Sequence, residues 1–317
     1  MVGCMPRVAL AGDLMLARGI DRIQRSSAPP ELREPAVTHA ERYVELAERK
    51  SGAIPRQVAP DYVWGDALQV LEELQADAFI ANLETSITAN GEFAADKSIH
   101  YRMHPDNVAI LTAGHLDCVG LANNHVLDFG AGGLESTLDH LAGAGIATAG
   151  AGRDWTGARV PARLGGECTV VSVALRDSGV PGSWAAGGET TSGAAPGGGR
   201  VGVYLTDGAE QLVPAVRASL EAGGIPVHRD DRRIPVVLSV HWGGNWGYGI
   251  PRSHRRAAEA LVGHELVDLI FGHSSHHAKS MEIIDGVPVI YGAGDFINDY
   301  EGISGHQQYR PDVVFLY

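Results

Sequence analysis

Short apolar runs recur along the chain, and several stop at a polar residue able to bind a metal. Arg7 to Ala11 runs into Gly12-Asp13, Ala78 to Ala81 into Asn82-Leu83-Glu84, and Asp117 to Ala122 into Asn123-Asn124-His125. Pro235 to Val240 stops at His241, and Val267 to Phe271 at Gly272-His273. Runs this short, bounded by Gly, Asn and Asp, predict buried strands. Gly145 to Ala149, Cys168 to Leu175 and the alternating Met281 to Ile284 add further strands. Helical spacing appears in Trp64 to Gln75, where Leu68, Leu71 and Leu74 share a face. It recurs after Pro105 and in Gly132 to Ala144, Glu210 to Ala222 and Ser253 to His264. The alternation of strand, turn and helix predicts an α/β fold with a mainly parallel sheet.

Two segments break the pattern. Residues 28–60 are rich in proline and charge, with one helix expected from His39 to Lys50, and read as an insertion over the surface or the site. Residues 178–199 form a loop rich in Gly, Ser and Thr, expected to be mobile. No period repeats along the chain, which argues against a solenoid. Asp312 to Tyr317 reads as a strand just begun, suggesting continuation.

Composition narrows the partners. The formal charge of −13 disfavours a nucleic-acid or anionic-membrane surface. An anionic substrate stays compatible if the site itself carries cations. Cys4, Cys118 and Cys168 are far apart, and two lie in apolar runs, which fits buried free thiols better than disulfides. The N-terminus lacks a signal-peptide apolar region, and no run approaches the roughly 18 residues of a membrane span. A soluble, cytoplasmic protein is expected.

The polar residues at the strand ends carry the chemistry. In an open α/β sheet, sites form beyond the carboxyl ends of strands, where side chains from several strands converge. Asp13, Glu84, Asn124 with His125, His241, and His273 with His276 are all placed there. Each alone has an ordinary reading, as turn aspartate, helix cap, turn amide or packed histidine. Together they make a mixed oxygen and nitrogen shell suited to Mn, Fe or Zn. Six ligands exceed the needs of one zinc ion and point to two ions, able to share a hydroxide and clamp a phosphoryl or carbonyl oxygen. Of the neighbours Asn124 and His125, one can be a ligand while the other faces the substrate as general acid. Asp128 lies near enough in sequence to bond the His125 ring. His277 could replace His276 as a ligand or line the substrate cleft. Arg102, Lys97 and Lys279 are candidates for an anionic substrate group. Trp242, Asn245 and Trp246 are expected to line or cover the cleft.

Gly12-Asp13-Leu14-Met15-Leu16, Asn82-Leu83-Glu84-Thr85 and Leu121-Ala122-Asn123-Asn124-His125 with Asp128 and Gly130 occur in that order. They are followed by Ser239-Val240-His241-Trp242-Gly243, by Gly272-His273 with His276, and by Tyr291-Gly292, Gly294, Asp295 and Phe296. This set resembles the CapA-type poly-γ-glutamate (capsule) biosynthesis proteins over nearly the whole chain. That family is similar to the calcineurin-like metallophosphoesterases. The resemblance implies one domain over residues 1–317, a four-layer α/β/β/α sandwich, and a dinuclear site. It implies that Asp13 and His276 hold one metal and that Asn124, His241 and His273 hold the other. Glu84 would bridge the ions, and His125 would protonate the leaving group, with Asp128 grouped beside it. Asn123 and Asp295 fall within the motifs and join the substrate-side candidates. Met15 stands where the phosphoesterases carry a second histidine, so the first metal is expected to be held weakly. Glu84 is a methylene longer than the usual bridge.

The expected activity is metal-dependent hydrolysis of a phosphoester. The alternatives are cleavage or formation of an amide such as a γ-glutamyl link, and non-catalytic binding of an anionic polymer. The expected substrate is a small or peptide-like anion.

Overall fold

The computed structural model describes residues 6–95, 97–188, 199–228, 231, 232, 234–311 and 313–317. Two mainly parallel sheets carry the fold. The first is parallel throughout, in the order Asp295–Ile297, Val8–Leu14, Ala78–Leu83, Cys118–Gly120, Ala147–Ala149. The second runs Leu205–Thr206, Cys168–Leu175, Val236–His241, Leu269–His273, Val287–Ile290, Met281–Ile284. Within it only Met281–Ile284 and Ala162–Leu164, the latter on the edge of Cys168–Leu175, pair antiparallel.

Strand periodicity of two decides what each face meets. In the first sheet Ala9, Ala11, Phe79, Ala81 and Val119 pack with Ile110, Leu111, Leu134 and Leu141 from helical segments. The alternate residues Leu10, Ile80 and Cys118 pack with Val170, Val237 and Phe271 of the second sheet. The opposite face of that sheet, with Val171, Val173, Leu238, Val240 and Ile270, takes the apolar sides of helices Leu212–Ala222 and Arg252–Gly263. Each fully buried Val, Leu or Ile contributes about 1.5–3 kcal/mol relative to an exposed one. Cys118 and Cys168 are free thiols inside the core between the sheets, as their apolar setting predicted. Cys4 lies outside the described residues.

The inner faces prepare the site. Following every second residue, Val237 leads to Ser239 and His241, Phe271 to His273, and Ile80 to Asn82. The apolar core between the sheets thus turns polar at the carboxyl ends of the strands. Val8–Leu14 reaches beyond the apolar run that announced it and includes Asp13. Its register shifts between Ala11 and Asp13 against one neighbour and between Asp13 and Leu14 against the other. Such an irregularity re-aims a side chain. Gly12 permits it, because a Cβ there would lie 1.7 Å from the Gly294 carbonyl oxygen. Gly12→Ala is expected to cost about 1–3 kcal/mol through this clash, read as a lower denaturation midpoint at unchanged m-value.

The 28–60 segment carries one helix, Glu41–Ser51. In the region expected as a long loop, residues 182–184 form a short 3₁₀ turn, Gly187 sits at φ 76°, and the loop's residues 189–198 lie outside the described residues. Near the chain's end, Tyr317 exchanges backbone hydrogen bonds with Leu10 at 2.9 and 3.0 Å. Among the described residues, no helix is long and apolar enough to cross a membrane.

Candidate metal centre

His241 and His273 are register partners on adjacent parallel strands, so their rings stand side by side. Their Nδ1 atoms are 2.8 Å apart, and His273 Nδ1 lies 3.8 Å from Asp13 Oδ1 of the other sheet. Asp13, His241 and His273 offer ligand atoms that all fall within 4.8 Å of one another, and all three residues are buried. Two imidazole nitrogens bound to one ion at about 2.0–2.1 Å would lie about 3 Å apart, so the spacing suits a shared cation. Ser239 Oγ sits 2.8 Å from His273 Nε2 and can accept a hydrogen bond from its N–H, the tautomer that leaves Nδ1 with the lone pair.

Asn82 organises the carboxylates. Its amide donates to Asp13 Oδ1 at 2.7 Å and to Glu84 Oε2 at 3.2 Å, and its oxygen accepts from Asn123 at 3.1 Å. Glu84 Oε1 is 3.9 Å from both His125 Nε2 and His241 Nε2. Asn123 holds the turn that follows, accepting from the backbone N–H groups of His125 and Val126 at 3.0 Å each. The Ser274 N–H donates to Asp13 Oδ2 at 3.2 Å from a residue at φ 98°, a strained conformation for a side chain other than glycine.

Two buried polar atoms here have no partner: His241 Nε2 and Asn124 Oδ1. Buried polar atoms are rarely orphaned, and each costs about 1–3 kcal/mol. The electrostatics agree. Burial, with Asp295 nearby, pushes the Asp13 carboxyl up to about 7, and burial with Asp13 raises that of Glu84. Burial pushes the His273 imidazole down to about 3 and, with His273 beside it, lowers that of His241. Neutral imidazoles beside carboxylates short of a counter-cation make a donor set that fits a divalent transition metal.

His125 stands at the rim. Its Nδ1 bonds Asp128 Oδ2 at 2.6 Å, and Asp128 also accepts from Lys97 at 2.5 Å and from the Tyr101 N–H at 2.7 Å. Burial pushes the Asp128 carboxyl up to about 6 against the pull of Lys97. Burial and Lys97 lower the His125 pKa. Asp128→Asn, which loosens the ring, is expected to lower any hydrolytic rate at least about 10-fold while metal content stays at the wild-type level.

His276 is differently engaged. Its Nδ1–H donates to Asp295 Oδ1 at 2.9 Å, its Nε2 accepts from Asn245 at 3.0 Å, and the Tyr300 hydroxyl is 3.4 Å from the same nitrogen. Burial, the largest influence, opposes protonation of this ring, but Asp295 and Asp13 together outweigh it and the pKa is raised. Asp295 is held in turn by Asn298 at 2.8 Å. His277 uses both nitrogens on backbone groups, with Gly247 N–H at 3.1 Å and the Ala278 carbonyl at 3.1 Å.

The remaining cationic and tryptophan candidates are engaged with partners within the protein. Arg102 lies over the Phe129 ring, 4.3 Å from its centroid. Lys97 is spent on Asp128 and the Asn124 carbonyl. Trp242 does not line a cleft: it is 1% exposed, stacks on His254 at 4.6 Å and donates to the Tyr291 carbonyl. Lys279 is half-buried near Gly243, and Asp177 is the carboxylate that acts on it. Asn82, Tyr101 and Tyr300 belong to the site although no role fell to them from the sequence. Tyr101 stacks 4.2 Å from His125, and its hydroxyl meets that of Tyr300 at 3.2 Å. The signal for Asn82 was present, a polar residue two positions before Glu84 on an inner face. A cavity of about 650 Å³ lies beside the 28–60 segment, and of the groups around His276 it is lined by Asn298 and Tyr300.

The family described as "Bacterial capsule synthesis protein PGA_cap" matches residues 7–300. A "probable polyglutamine synthesis accessory protein" of Mycobacterium tuberculosis is 44% identical over 320 residues, covering 98% of this chain and 79% of that protein. The "PGA biosynthesis protein CapA" of Bacillus subtilis is 24% identical over 263 residues, 81% of this chain and 60% of its own length. The "capsule biosynthesis protein CapA" of Bacillus anthracis is 24% identical over 216 residues, 65% and 46% of the two chains.

Proposed function

Since the chain belongs to the PGA_cap family of bacterial capsule synthesis proteins, we propose that it is a metal-dependent hydrolase acting on an anionic phosphoester. One observation carries the reading: Asp13, His241 and His273 converge from two sheets on one buried point, where His241 Nε2 is left without a hydrogen-bond partner. The proposal includes a single domain of four α/β/β/α layers, consistent with three apolar cores separated by two sheets.

Asp13, His241 and His273 would hold a divalent ion such as Mn, Fe or Zn, with Glu84 and Asn124 beside it. When bound, the ion supplies a Lewis acid and counter-charge for a phosphoryl oxygen. The chain's own groups do the rest. Asp128 fixes the His125 ring through Nδ1, so that a proton released by the attacking water and taken up at Nε2, on the side of Glu84, would pass to the leaving oxygen. Tyr101, packed on that ring, keeps water from its other face. The two-ion form implied by the resemblance would need His276 as a ligand.

A second reading is favoured by the relatives' names, which refer to polyglutamine synthesis and PGA biosynthesis. The same centre would then polarise an amide carbonyl, such as a γ-glutamyl link. A non-catalytic role in holding an anionic polymer is the third reading, in keeping with the word "accessory". Protein loaded with Mn, Fe or Zn and given aryl phosphates beside γ-glutamyl peptides separates the three. Metal-dependent phosphate release is the expected result. Release of glutamate alone favours the second reading, and inertness toward both classes with metal bound favours the third.

A further inference from the structure

We propose that the site takes a single metal ion and that His276 is not a ligand, the second half of the cleft being held by the protein's own hydrogen bonds. The inference rests on the metal-dependent reading above and sharpens it.

The two halves of the strand-end cluster differ in one respect. On the side of His241 the polar groups are unfinished: His241 Nε2 and Asn124 Oδ1 have no partner, and two imidazole Nδ1 atoms face each other at 2.8 Å. Two bare lone pairs at that distance repel unless a proton or a cation lies between them. On the side of His276 every polar group is finished. Its Nδ1 is taken by Asp295, its Nε2 by Asn245 and Tyr300, and Asp295 is closed off by Asn298. A ligand there would first have to displace the Asn245 amide from Nε2.

A second ion also needs donors free of protein partners, and here the His276 imidazole and the Asp295 carboxylate are engaged with each other. Met15, one residue beyond the strand that carries Asp13, is buried with Ala17 and Tyr101, and Tyr300 packs against the group. Thioether and phenol rings fill the space with weak or protonated donors, a poor set for a hard or borderline cation. Among the described residues, Asp13, His241 and His273 are the group whose ligand atoms all fall within 4.8 Å of one another, and His276 is not part of it.

The experiment is metal counting on the whole protein. Wild-type protein is loaded with Mn, desalted and measured by mass spectrometry of the metal, beside His276→Ala and His241→Ala. The expected result is one ion per chain in the wild type, one in His276→Ala, and at least a 10-fold loss in His241→Ala. Should His276→Ala fail to fold, electron paramagnetic resonance of the wild type decides, an isolated Mn giving six lines and a coupled pair a denser pattern. Two ions per chain, a coupled spectrum, or loss of the ion in His276→Ala overturns the inference and leaves a hydrolase reading intact. One ion without hydrolysis supports the inference and removes the hydrolase reading. No ion in the wild type overturns both.

Discussion

His125→Ala is expected to lower the hydrolytic rate about 10²–10⁴-fold and leave metal binding at the wild-type level, whereas His241→Ala loses the metal and the activity together. The first figure is the usual range for removal of a general acid. The contrast follows from position. His125 is tied to Asp128 and Lys97 at the rim, 3.9 Å from Glu84, whereas His241 is fully buried and shares its Nδ1 contact with His273. Losing His241 removes one of the three residues whose ligand atoms all lie within 4.8 Å of one another. Steady-state kinetics beside metal analysis distinguish the two variants. Equal loss of metal in both would contradict the assignment of roles.

Arg18→Ala is expected to destabilise the protein by about 3–5 kcal/mol, the cost of stranding buried carboxylates without their counter-charge. The Arg18 side chain is 3% exposed and reaches Glu34 at 3.0 Å and Asp299, whose side chains are 7% and 6% exposed. Its guanidinium lies 3.9 Å from the Tyr43 ring centroid and 4.6 Å from that of Tyr101. One residue thus ties the 28–60 segment to the first sheet and to Tyr101, which packs on His125. Its backbone pays for the reach, at φ 48° and ψ −114°. Arg18→Lys keeps the charge but loses the planar fork, so it should recover only part of the loss. Chemical denaturation measures both, and a change below about 1 kcal/mol for Arg18→Ala would show that the cluster is not structural.

Much of the site was legible because strand periodicity and strand ends are local signals. Asp13, Glu84, Asn124, His241 and His273 could each be placed after an apolar run, and a parallel sheet brings such ends to one edge. Side-chain partners depend on pairs distant in sequence, which local patterns do not show. His276 and Asp295 are 19 positions apart and bond each other. Trp242 looked like a cleft residue because it follows His241, yet the alternation that points His241 inward sends Trp242 toward His254 and the helix side. Arg102 and Lys97 looked like free cations because sequence does not show that Phe129 and Asp128 lie beside them. Strand limits shifted where tertiary contact overrides composition. Val8–Leu14 extends through the Gly12 irregularity because Gly294 and Ile297 supply backbone partners to Asp13 and Met15.

The most direct measurement is an anomalous difference map from crystals grown with Mn or Zn and recorded at the metal's absorption edge. The account predicts a strong peak bounded by Asp13, His241 and His273. A map without density there, from crystals whose protein hydrolyses aryl phosphates in the presence of a chelator, would contradict it.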